Sequence, residues 1–190
     1  DDWFIKWVQW VIPLIIGGEG VVIPITSFYV NLNTCVQGEL SGDPYFKVRG
    51  ELNRDVFMNG EEAEIKVTCT KDCYLTILNL MANNNVRILL PNEYEKLRKI
   101  KEGEEYNFPM QGLSLEIQLL PGHKKDAEAF ILIATKERFD LLPLVKSSNS
   151  PFAKGGQGGI KIEDFYKVLI TIPPQERTEE ILLYEVRARE

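Results

Sequence analysis

From Tyr45 to Thr135 the chain falls into short apolar runs with a period of two, each closed by turn-forming residues. A period of two sends successive side chains to opposite faces of an extended chain, so this stretch has to build sheets. In YFKVRGEL, Phe46, Val48 and Leu52 share one face. In EEAEIKVTC, Ala63, Ile65, Val67 and Cys69 alternate with Glu64, Lys66 and Thr68. CYLTILNLM is a longer apolar run, suited to a strand buried on both faces. VRILLPN, EEYNFP and LSLEIQLL follow, the last with Leu113, Leu115, Ile117 and Leu119 in alternation, and AEAFILIAT closes the series. Asn83-Asn84-Asn85 and the Pro121-Gly122 turn separate runs. This pattern predicts a mainly β fold, an antiparallel β-sandwich of Ig-like appearance.

The flanks differ from this middle. Residues 1–44 read as an N-terminal arm, with an apolar opening, one or two irregular strands over 21–34 and a Gly-, Ser- and Pro-containing turn at 37–44. The β module spans 45–145. KSSNSPFAKGGQGG, within 146–160, has the Ser, Gly and Pro content of a linker or surface loop. In 161–190, Ile162, Phe165, Leu169 and Ile172 have helical spacing, and Pro173-Pro174 stop that helix. ILLYEVRA is a last strand, joining the same sheet or covering its edge, so helix and strand pack on the module.

At 190 residues the chain can bury a core without staples. Its net charge of −6 argues against a nucleic-acid partner, whose affinity rests on Lys and Arg neutralising phosphates. The basic run KLRKIK sits among Glu93, Glu95 and Glu102 and reads as mixed, solvated surface. The chain begins Asp1-Asp2 with no initiating Met and no basic segment ahead of an apolar one, as a processed product or an excised piece would.

Catalytic and metal patterns are weak. The single histidine, His123, lies in the Pro121-Gly122 turn, where a solvated role is the ordinary one. Glu61-Glu62 and Glu104-Glu105 are adjacent, so in a strand they point apart rather than converging on a substrate. The glycines of GGQGG lack the Lys-Ser/Thr and the strand-to-helix setting of a phosphate cradle. Cys69 and Cys73 are not at zinc-knuckle spacing and no second pair exists. If TKD is a three-residue hairpin turn, Cys69 and Cys73 face each other near disulfide distance. Cys35 with Cys73 is a competing pairing, and in a reducing compartment both thiols of the first pair are small core residues. No catalytic residue, metal or cofactor is expected.

VFMNGEEAEIKVTCTKDCYLTILNL, VRILLPN, IKEGEEYNFP and LLPGHKKDAEAFILIAT come in an order and spacing that resembles the bacterial family called domain of unknown function 4384. The points of likeness are Gly60-Glu61, Cys73-Tyr74, Leu90-Pro91-Asn92, Gly103 before Tyr106, Phe108-Pro109 and Pro121-Gly122, over roughly residues 45–140. The resemblance implies an accessory β module without established activity, of the kind attached to envelope lipoproteins, caspase-like peptidases or kinases. The sequence departs from the family's usual Asp-Gly-type turn in having Asn83-Asn84-Asn85, which still tolerates a left-handed backbone. Gly60, Glu61, Tyr74, Pro91, Asn92, Pro109 and Gly122 all have structural accounts as turn, cap or packing residues.

All three tryptophans lie in the opening DDWFIKWVQWVIPLIIGG. Trp3, Trp7, Trp10 and Leu14 would share one face of a helix, with Lys6, Gln9 and Pro13 opposite. The run is too short to span a bilayer. It has three uses: packing on the chain's own sheets, docking another protein or a second copy, or peripheral contact with a membrane. The expectation is a non-catalytic interaction or assembly module of the bacterial cell envelope or extracellular space. The alternative is a regulatory or sensory domain of a larger multidomain enzyme, such as a caspase-like peptidase or kinase.

Overall fold

A computed structural model describes residues 42–139 and 160–189. The stripe Trp3, Trp7, Trp10 and Leu14, and Cys35, lie outside the described residues.

The described residues are mainly β. In chain order the strands are β1 (Val48–Leu52), β2 (Val56–Met58), β3 (Ile65–Cys69), β4 (Cys73–Leu80) and β5 (Asn85–Leu90). They continue as β6 (Lys99–Ile100), β7 (Tyr106–Phe108), β8 (Lys125–Thr135), β9 (Ile160–Lys161) and β10 (Arg177–Arg187), with helix α1 (Ile162–Leu169) between the last two. A three-stranded sheet has the order β1-β3-β7. A larger one runs β2-β10-β8-β4-β5-β9, with β6 also paired to β4.

The two sheets share one core. Val48, Ile65 and Val67 of the small sheet bury against Leu75, Ile77, Phe130 and Leu132 of the large one. Gly50 lets β1 come this close: a Cβ there would lie 2.3 Å from a Leu132 methyl and 2.8 Å from one of Leu182. On the other face of the large sheet, α1 turns Ile162, Phe165, Tyr166 and Leu169 onto Leu78, Leu80, Val86, Ile131 and Ile133. The buried faces of β4 and β8 are therefore both covered, which is why CYLTILNL and AFILIAT are continuously apolar.

The C-terminal strand joins the same sheet. β10 pairs with β8 along its whole length, from Arg177 opposite Thr135 to Arg187 opposite Lys125. It also pairs in parallel with β2, Val186 opposite Phe57, so the sheet is not wholly antiparallel. Helix α1 ends at Leu169, ahead of the two prolines, and Ile172 is buried beyond it. Asn84 takes the left-handed conformation its turn requires, with φ 61°.

Three local expectations are corrected. LSLEIQLL does not form a strand: only Glu62 and Glu116 bridge, because Leu115 and Ile117 make three backbone bonds to the irregular 60–63 segment instead of joining a continuous ladder. The basic run contains strand β6, with Ile100 buried against the core and Lys99 opposite Tyr74. Cys69 and Cys73 do not flank a hairpin. β3 belongs to the small sheet and β4 to the large one, so Thr70-Lys71-Asp72 is a corner carrying the chain across the core. Thr70 holds this corner by accepting from Lys47 N–H at 2.7 Å and donating to the Tyr45 carbonyl at 2.6 Å. Both cysteines are free, buried thiols, not a disulfide.

Candidate functional site

The inner face of the large sheet changes character at one end. Along β8 its residues run Ala134, Leu132, Phe130, then Glu128 and Asp126. β4 turns polar at Asn79, β5 presents Arg87 opposite it, and β10 contributes Tyr184 opposite Glu128. The small sheet does not reach this end. The irregular stretch Leu115–Pro121 covers it instead and leaves a cleft of about 370 Å³.

The floor of the cleft is a hydrogen-bonded trio. Tyr184 donates to Oε2 of Glu128 at 2.6 Å, and Asn79 Nδ2 donates to the same oxygen at 3.0 Å. Tyr184 Oη also lies 2.9 Å from Asn79 Oδ1. Ala82 N–H lies 3.4 Å from Glu128 Oε1. Glu128 is 5% exposed, and among the described residues no cation is in salt-bridge contact with it. Burial, and then the Glu128 charge, push the Tyr184 hydroxyl well above the usual phenol range, so it is a donor at any physiological pH. The walls are apolar on the side of Met81, Leu89, Leu115 and Leu119, with Arg87 and Glu116 at the margin.

The motif positions fasten this wall. Gly60 has φ +84°, and its N–H donates to the Ile117 carbonyl at 2.8 Å. The Ile117 N–H returns a bond to the Glu61 carbonyl at 2.8 Å. The Glu61 carboxylate accepts from Met58 N–H at 2.8 Å and pairs with Arg54 at 3.0 Å, and both lower its pKa, the backbone bond most. Leu119 N–H bonds Asn59 Oδ1 and Leu120 N–H bonds Asp126 Oδ2, each at 2.8 Å. Gly122, with φ +83°, turns the chain back toward β8, and His123 Nδ1 meets Asp126 Oδ1 at 2.5 Å. His123 does not line the cleft.

The remaining motif residues lie elsewhere and shape loops. Pro91 ends β5 and Pro109 ends β7. Asn92 Oδ1 accepts from Tyr94 N–H and Glu95 N–H at 2.8 and 2.7 Å, while its Nδ2 donates to the Leu89 carbonyl. That loop buries Glu95, which accepts a hydrogen bond from Tyr106. Tyr74 lies in β4 between Lys99 and Thr135. Cys69 and Cys73 share a side-chain hydrogen bond in the core, which lowers the Cys69 thiol against the effect of its burial and, together with burial, raises that of Cys73. Among the described residues, no three His, Cys, Asp or Glu side chains gather as metal ligands. No helix among them is long and apolar enough to cross a membrane.

The cleft residues Asn79, Glu128 and Tyr184 were not singled out from the sequence. Strand parity was the available signal: a carboxylate two residues before Phe130 has to point to the same face as the core.

No curated protein and no solved structure matches the chain. Residues 56–138 match a family described as domain of unknown function (DUF4384). This stretch holds Asn79, Arg87, Glu128 and the wall, while Tyr184 comes from β10 beyond it. The stretch from Val56 to Arg138 is thus a member of the DUF4384 family.

Proposed function

We propose that the chain is a β-sandwich, Ig-like in appearance, serving as a non-catalytic protein-interaction or assembly module of the bacterial cell envelope or extracellular space. The observation that carries this is an uncovered apolar stripe. Among the described residues, helix α1 packs over β4, β5 and β8 and does not reach Ile181 and Leu183 of β10. Ile181 and Leu183 stand 44% and 48% exposed there, and Val56 of the neighbouring β2 is 43% exposed. Pairing of Val56 with Glu185 puts all three on one face. Contiguous exposed apolar surface of this kind marks contact sites. The Trp3, Trp7, Trp10 and Leu14 stripe supplies a second apolar surface in the sequence, and a second copy of the chain is the partner that brings both.

Light scattering on gel-filtered protein tests this. The full chain should self-associate. A chain beginning at Gly18, and a full chain carrying Ile181→Ser with Leu183→Ser, should be folded monomers. A full chain that stays monomeric at every concentration overturns assembly. The envelope placement leans on the family resemblance and is read separately, by fractionating the bacterium; recovery from the cytosol overturns it.

A regulatory or sensory role within a larger multidomain enzyme is favoured by a different observation, the cleft with Glu128 on its floor. Sensory domains need a ligand site, and this one is concave, with convergent polar groups beside apolar walls.

A further inference from the structure

Every hydrogen bond that Glu128 makes through its carboxylate is one it accepts: from Tyr184 and Asn79 at Oε2 and from Ala82 at Oε1. A carboxylate in that pattern offers a ligand acceptors. A buried carboxylate ordinarily has a cation beside it, since leaving the charge unpaired in a low-dielectric site is costly. Among the described residues none is in ion-pair contact with it. Arg87 lines the same cleft but is exposed and forms no salt bridge with Glu128. Counting the ionisable side chains of the lining, Glu116 and Glu128 face one guanidinium, so the cleft has an excess of negative charge. Met81, Leu89, Leu115 and Leu119 form an apolar side beside these polar groups.

The geometry points to a binding site for a small primary amine, an alkylammonium whose charged end sits at Glu128 and whose hydrocarbon chain lies along Leu115 and Leu119. The cleft volume of about 370 Å³ falls at the small end of ligand pockets. An ammonium group has three donors and no acceptor, matching a carboxylate that lines the cleft and whose hydrogen bonds are all accepted. A neutral alcohol of the same length gains the apolar contact without the ion pair, and a carboxylate is repelled by Glu128. Occupancy of the cleft is independent of whether the module assembles.

The probe is n-hexylammonium, charged at neutral pH as a lysine side chain is. It is titrated into the full chain by calorimetry, with backbone amide shifts followed by NMR. Hexanol and hexanoate serve as matched controls. Hexylammonium should bind at least about tenfold more tightly than either control, which is a ratio of the size that one buried charge pair gives. Amide shifts should centre on Asn79, Ala82 and the 115–120 segment. Glu128→Gln should abolish the preference over hexanol. Arg87→Met, which removes the like charge, should tighten hexylammonium and weaken hexanoate. If Glu128→Gln does not fold, Leu119→Trp fills the cleft without touching the trio and should abolish binding of hexylammonium. The proposal is overturned by hexanol or hexanoate binding as tightly as hexylammonium. Binding that survives Leu119→Trp, or no hexylammonium binding at millimolar concentration, overturns it as well.

Discussion

Tyr184 and Glu128 stand directly opposite each other on the two longest strands and join through a 2.6 Å hydrogen bond. The pair ties the C-terminal strand to the polar end of the core. The Tyr184 ring also stacks on Phe130 at 4.5 Å and meets Phe57 edge-on at 5.6 Å. Tyr184→Phe keeps both ring contacts and removes one donor from a buried carboxylate. The expected loss is about 1–2 kcal/mol in urea unfolding, the range for an unmade bond at a buried polar group. Tyr184→Ala also loses the ring, and should cost about 3–5 kcal/mol. A Tyr184→Phe variant as stable as the original chain would mean that the hydroxyl contributes nothing.

Gly60 is needed for its backbone conformation, not for space. A Cβ built there meets nothing closer than Glu116 Oε1 at 3.4 Å, an ordinary contact. Its φ of +84° is the obstacle. Gly60→Ala should therefore destabilise by about 1–2 kcal/mol, the penalty of an L-residue in the left-handed region, and Gly60→Asn by less. Since Gly60 N–H holds the Ile117 carbonyl, exchange of the amides over 115–120 should speed up more than exchange in β8. An unchanged exchange pattern would separate Gly60 from the cleft wall.

Much of the fold was legible in the sequence because period-two patterning tracks burial. Ala63, Ile65, Val67 and Cys69 all face the core as their alternation requires. The same signal misled at LSLEIQLL. Leu115, Ile117 and Leu119 do turn inward to varying degrees, but patterning reports faces and not ladder bonds, and here the ladder is broken. The Cys69–Cys73 spacing fits a hairpin and an inter-sheet corner equally, and only pairing partners distinguish them. The cleft was hidden for another reason. Asn79, Glu128 and Tyr184 lie far apart in sequence and are brought together by the β4-β8-β10 order, which no local pattern encodes.

Acid should weaken the fold through Asp43 and Glu61. Hydrogen bonds from Lys71 and Lys136, then one from Tyr45 N–H, hold the Asp43 carboxyl well below its ordinary value of 3.8. Glu61 lies below its ordinary 4.5, through Met58 N–H first and Arg54 after. With folded values below unfolded ones, the unfolded state takes up protons first. The stabilisation is complete above the unfolded values and is lost as pH falls through the folded ones. Urea midpoints should thus fall on acidification below about pH 5, the upper edge of the carboxylate range. Asp43→Asn with Glu61→Gln should lower the neutral midpoint and flatten the acid slope. A slope unaffected by both changes would move the acid sensitivity elsewhere.

The cysteine pair gives a chemical readout of the inter-sheet corner. Cys69 is 2% exposed and Cys73 fully buried, so in a Cys35→Ser background Ellman's reagent should react on the timescale of opening and not of encounter. The hydrogen bond from the Cys73 thiol lowers Cys69 and raises Cys73, which makes Cys69 the first thiolate to attack. That attack releases one thionitrobenzoate and leaves a mixed disulfide on Cys69. The adjacent Cys73 sulfur then displaces the second thionitrobenzoate and closes a Cys69–Cys73 bond. Two equivalents of colour should therefore appear while the protein mass falls by only two hydrogens, with no adduct retained. Two stable adducts would show that the sulfurs are not in contact, and that β3 and β4 do not meet at the corner as described.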